Sequence, residues 1–168
     1  MFTLKIIDNA EEEAWELLGQ EPEKIKEFRK KFGLKNDEQS AERIIPLIKK
    51  TPEKTIKYSE IPELNNLANM PGDKETLKKV MQISGDKDAE KKYIDLMKER
   101  DAREKRKRGY NVNLLVDKIK SGEYDRPVLL KIDNELFVIG GRTRLYAALA
   151  LRIDPIVKIL DDKLFKGI

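Results

Sequence analysis

Neither cysteine nor histidine occurs in the 168 residues. Without thiols there is no disulfide, no thiolate metal site and no cysteine nucleophile. Without imidazole, the usual zinc and copper sites and a histidine general base are excluded too. A resident metal would have to be a Mg²⁺- or Mn²⁺-like ion on carboxylates. Hydrophobic runs are short: no 18-residue apolar span and no signal peptide stand in the sequence, so a cytoplasmic protein with no membrane partner is expected. Aromatics are scarce at 7%, with Trp15 the single tryptophan, expected to anchor packing or, alternatively, a protein partner.

What is abundant is charge. Charged residues make up 39% of the chain, yet 35 Lys+Arg against 31 Asp+Glu leave a net charge of only +4, so clustering matters more than the total. The densest cluster runs from Lys98 to Arg108, KERDAREKRKR, with Lys105, Arg106, Lys107 and Arg108 consecutive. One reading is a solvated helix end with pairs such as Glu99 with Arg103. The other is a grip on nucleic acid or lipid head groups, in which each phosphate neutralised on duplex DNA adds about 0.9 to the salt slope.

Apolar spacing predicts the elements. MFTLKII reads as a short strand, and Asn9 with Glu12 as a capping pair for a helix carrying Ala10, Ala14, Leu17 and Leu18. Pro22 suits the first turn of a helix with Ile25, Phe28 and Phe32, stopped by Gly33. A further helix is expected over Glu38 to Ile45, ended or kinked at Pro46, with Leu47 and Ile48 continuing the apolar face. Residues 1–50 thus read as a helical extension and 51–168 as the main domain. There, Thr55 to Tyr58 reads as a strand, Asp73 as the cap of a helix with Leu77, Val80 and Met81, and Ala89, Tyr93, Leu96 and Met97 as one helical face. Val112, Leu115, Val116 and Ile119 form another amphipathic helix. Pro127 to Ile132 and Leu136 to Ile139 read as buried strands of a hairpin turning at Asp133-Asn134, and Ile156 to Leu160 as a last strand before a surface tail.

The stretch with most chemical content is LFVIGGRTRLYAALAL, from Leu136 to Leu151. An apolar strand stops at Gly140 and Gly141 and gives way to a helix with Leu145, Ala148 and Leu149 on one face and Thr143 as its N-cap. Glycines let backbone amides approach a ligand, a helix start offers unpaired N–H groups, and Arg142 and Arg144 add permanent charge. Gly140, Gly141, Arg142, Thr143 and Arg144 are therefore the candidate phosphate-binding set, with a helix cap bearing two solvated arginines as the plainer alternative. The segment is neither a P-loop nor a dinucleotide fingerprint.

Gly141 to Ala148 resembles the G-x-x-R-[LW]-x-A-A box of the ParB/sulfiredoxin-like superfamily. The helix, glycine and proline-led strand of NLLVDKIKSGEYDRPVLLKID precede it as in that family, and IDPIVKIL is similar to its closing strand. The resemblance implies an α+β fold with a small mixed sheet and surrounding helices. It also implies phosphate recognition: Arg144 matches an arginine of the CTP-binding partition proteins, whereas Thr143 and Tyr146 replace two others. Arg142 stands where sulfiredoxin carries its catalytic cysteine, so that activity is excluded. No DNA-reading segment follows the box, so partition on a centromere-like site is not expected. By the same analogy Glu60 and Glu63 border the phosphate site and are the candidate catalytic acids, ahead of Asp133, Glu135 and Asp154.

The expected function is a phosphate-recognising, nucleic-acid-binding ParB-like protein that uses the GGRTR turn and Lys105 to Arg108. One alternative is a ParB-like enzyme, a metal-dependent nuclease or a CTP or ATP hydrolase or kinase, with Mg²⁺ or Mn²⁺ and a nucleotide. The other is an adaptor that binds a protein partner through its N-terminal helices.

Overall fold

The computed structural model describes residues 22–35, 38–68, 72–103 and 111–167. The strand and capped helix expected before residue 22, Trp15 and the basic run Lys105 to Arg108 lie outside the described residues. Along the chain come α1 (Glu23–Phe32), α2 (Glu38–Lys50), β1 (Glu53–Thr55) and a 3-10 turn (Tyr58–Glu63). Helices α3 (Asp73–Ile83), α4 (Ala89–Arg103) and α5 (Val112–Ser121) follow, then the strands β2 (Val128–Ile132) and β3 (Glu135–Gly140). Helix α6 (Arg142–Leu151), β4 (Ile156–Asp161) and a second 3-10 turn (Asp162–Gly167) complete the order.

The four strands form one mixed sheet in the order β1-β4-β2-β3, with β2 and β4 parallel and the other pairs antiparallel. Strand side chains alternate between faces, and here both faces are covered. Val128, Leu130, Ile132, Phe137, Ile139 and Leu160 join Ile25, Phe28, Ile44 and Ile48 of α1 and α2 on one side. Leu129, Val138 and Val157 join α3, α4, α5 and α6 on the other. The fold is therefore α+β with a small mixed sheet and helices around it, as expected, and the two described helices of the first fifty residues form one layer of it. No described helix is long and apolar enough to cross a membrane.

Local chemistry explains most boundaries. Gly33 ends α1 in the left-handed region at φ 64°, and Arg29, Lys30 and Lys31 complement the helix dipole in its last turn. Asn111 caps α5 by accepting from the amide of Asn113 at 2.7 Å. Asp133 and Asn134 both have positive φ, 51° and 66°, which gives the hairpin the twist its strands require.

Four expectations need correction. Helix α2 extends past the expected bound at Ile45 to Lys50, so that of the two outcomes at Pro46 the proline does not end it, and Leu47 and Ile48 continue the helix as expected. Its last carbonyls are satisfied from outside: Thr51 Oγ1 donates to Leu47 O at 2.7 Å and Lys158 Nζ to Ile48 O at 3.1 Å. Gly72, not Asp73, caps α3, because its left-handed backbone lets its carbonyl accept from the Thr76 amide and hydroxyl. The segment expected as a strand up to Tyr58 pairs only over Glu53–Thr55 and enters the 3-10 turn at Tyr58. The tail is no surface end: Phe165 is buried, its ring edge-on to Phe28 at 4.8 Å and 5.9 Å from Phe32.

Candidate functional site

The GGRTR segment joins β3 to α6 at the centre of the molecule. Gly141 has φ +83°, and a Cβ placed on it would stand 2.7 Å from the Cα of Pro127. The missing side chain thus makes room for the approach to β2, a close passage between two backbones. Gly141 is also the N-cap of α6, and the amide of Leu145 donates to its carbonyl at 3.1 Å. Thr143, expected as the cap, is the second residue of the helix, because the left-handed glycine turns the chain straight from the strand into the first turn.

The arginines are not solvated. Arg142 is 9% exposed and Arg144 1%. Arg142 Nε donates to Asn66 O at 3.0 Å and its Nη2 to Val138 O at 3.4 Å. Two tyrosines brace the same region: Tyr146 OH donates to Leu67 O at 2.7 Å, and Tyr93 OH to Thr143 O at 2.9 Å. Asn65 is joined to β3 through its own amide to Leu136 O and through its carbonyl, which accepts from Val138 N. The segment after the first 3-10 turn is therefore laid along β3 and clasped by the start of α6. Instead of one apolar face, α6 buries every residue from Leu145 to Ala150. Its small alanines pack in the same cluster as Val80, Tyr93, Met97 and Val116 of the neighbouring helices.

Compared with known protein families, curated proteins and solved structures, the chain matches none. The reading of the site therefore rests on its residues.

Glu60 and Glu63 are exposed on the 3-10 turn, and the hydrogen bonds from Arg142 and Tyr146 of α6 go to the carbonyls of Asn66 and Leu67, beyond that turn. Asp133 and Glu135 lie at the opposite end of β3, roughly 16 Å along the strand from Gly140. Glu135 accepts from Lys24 Nζ at 2.7 Å, a hydrogen bond that raises the Lys24 pKa above its ordinary value. Asp154 accepts from the Tyr58 amide at 2.9 Å, beyond the far end of α6. None of these three acids adjoins the two arginines. Among the described residues no group of three acidic side chains is arranged to hold a metal ion.

Displaced carboxylate titrations also lie elsewhere. Glu53 is lowered by its hydrogen bond from Arg126, and Asp162 is raised by burial and then by its hydrogen bond with Asp161. The start of α6 is thus rich in cations and hydrogen-bond donors. That composition suits holding an oxyanion better than moving a proton.

The sequence reading missed Arg100, which is 2% exposed on α4. The signal was present, since Tyr93, Met97 and Arg100 continue one helical phase at i, i+4 and i+7. The surrounding charges hid it.

Proposed function

We propose that this protein recognises phosphate at the start of α6, in the manner of the ParB-like box that Gly141 to Ala148 resembles, and that the phosphate belongs to a nucleic acid. The observation that carries the reading is the helix start itself: a glycine N-cap in the left-handed region, followed by Arg142 and Arg144 in the first turn. Exposed cations for a polymer lie nearby in sequence. Lys91 and Lys98, seven residues apart on the exposed side of α4, lead towards Lys105, Arg106, Lys107 and Arg108. In this division of labour the basic run tracks the backbone and the α6 start takes one phosphate.

A free nucleotide is the second reading, favoured by the burial of both arginines. Side chains exposed by 9% and 1% suit a single enclosed phosphate better than an extended backbone. Gel shifts with single- and double-stranded DNA at two salt concentrations, beside calorimetric titration with CTP and ATP, separate the two. Binding to DNA that weakens as salt rises, and weakens further when Lys105 to Arg108 are replaced by glutamine, supports the first. Nucleotide binding that ignores those replacements supports the second. No binding to either overturns phosphate recognition. Incubation of DNA or nucleotide with Mg²⁺ or Mn²⁺ tests turnover, for which Glu60 and Glu63 remain the candidate acids.

A further inference from the structure

We infer that Arg100 is a third arginine of the phosphate site, reaching the start of α6 from a different helix; the inference rests on the phosphate reading above. Its place follows from how α4 runs against α6. Just before α4, Ser84 Oγ donates to Leu149 O at 2.7 Å and Gly85 N to Ala150 O at 3.4 Å, near the end of α6. Within α4, Tyr93 OH reaches Thr143 O at the beginning of α6. The chain therefore passes from the end of α6 towards its start, and residues beyond Tyr93 on the same face lie past the first turn of α6. Arg100 is seven residues on, about 10 Å along the helix. Helical side chains lean towards their own N-terminus, so this one leans back towards Tyr93 and the α6 start.

The second observation is the state of the guanidinium. Arg100 is 2% exposed, yet its Nε and Nη2 meet no hydrogen-bond acceptor among the described residues. Asp101 Oδ1 stands 3.6 Å from Nη2, an ion pair outside hydrogen-bonding geometry, and it leaves Nε unengaged. Nε and Nη2 form one edge of the guanidinium fork, the pair that grips two oxygens of a phosphate side by side. A buried guanidinium with that edge unfilled is costly in the free protein and is repaid when an oxyanion fills it. Arg142 spends donors on the carbonyls of Asn66 and Val138, whereas the Nε–Nη2 edge of Arg100 makes no hydrogen bond and meets only the Asp101 carboxylate at ion-pair distance.

The test uses the full chain, with inorganic phosphate and pyrophosphate as probes. Thermal melting without ligand and calorimetric titration are compared for wild type, Arg100→Met and Arg100→Lys. Arg100→Met is expected to bind pyrophosphate at least tenfold more weakly, and because it also takes the ion-pair partner from Asp101, its ligand-free melting is compared with that of Asp101→Asn, which it should match. Arg100→Lys should fall between wild type and Arg100→Met in affinity. Wild-type binding with Arg100→Met unchanged would overturn the role of Arg100 and leave the phosphate reading standing. Failure of wild type to bind either probe would overturn that reading and the inference with it. A ligand-free melting temperature of Arg100→Met far below that of Asp101→Asn would show a structural arginine and also overturn the inference.

Discussion

At Gly141 a single missing carbon decides the path of the chain. Alanine there would face both the positive φ of +83° and the 2.7 Å approach to Pro127 Cα, and the obstacle is backbone, which cannot rotate away. Gly141→Ala is expected to destabilise the protein by about 2–3 kcal/mol, measured by urea denaturation. An unchanged midpoint would mean that β2 and α6 shift apart freely. The glycine was legible as a special position, but its purpose was not, because Pro127 is distant in sequence. The arginines teach the same lesson from the side of charge. Arg142 looks like any solvated residue at a helix start until Asn66 O is found 3.0 Å from its Nε.

Among the elements, those with local signals were read well. Gly33 at the end of α1, the Asp133-Asn134 turn and the apolar phase of α5 each depend on residues within a few positions. Helix α2 ends at Lys50 with its last carbonyls accepting from Thr51 Oγ1 and from Lys158 Nζ, the second a donor far away in the sequence. Strand β1 shows the same dependence on a neighbour. Its three residues are exposed, and Glu53 is tied to Arg126 Nε at 3.1 Å. That hydrogen bond holds the Glu53 pKa below its ordinary 4.5. A carboxylate lowered by folding contributes stability that is present above its unfolded value and lost as pH falls through its folded value. Wild type should therefore be slightly more stable than Glu53→Gln at neutral pH, and the gap should close as acid titrates Glu53, followed by denaturation midpoints between pH 6 and pH 3. A gap that persists at the acid end would assign the effect to packing rather than charge.

Across the whole molecule, both faces of a four-stranded sheet are used, and the two ends of the described chain meet on one of them. Phe165 from the last 3-10 turn packs on Phe28 and Phe32 of α1. Phe165→Ala is expected to cost about 3 kcal/mol and to speed amide hydrogen exchange in α1 more than in α6. Equal acceleration in both helices would show that the two layers open as one unit.

By itself, the sequence determined the kinds of element and most of their boundaries, because helix phase, strand alternation and turn chemistry are set by neighbouring residues. It also excluded thiol and imidazole chemistry outright. Tertiary structure alone decided that α6 is central rather than half-exposed, that Arg100, Arg142 and Arg144 are buried, and that Glu60 and Glu63 face solvent. The physical reason is that burial and hydrogen-bond partnership belong to residues far apart in the chain. Asn66 meets Arg142 and Tyr93 meets Thr143 only once the sheet has brought their elements together.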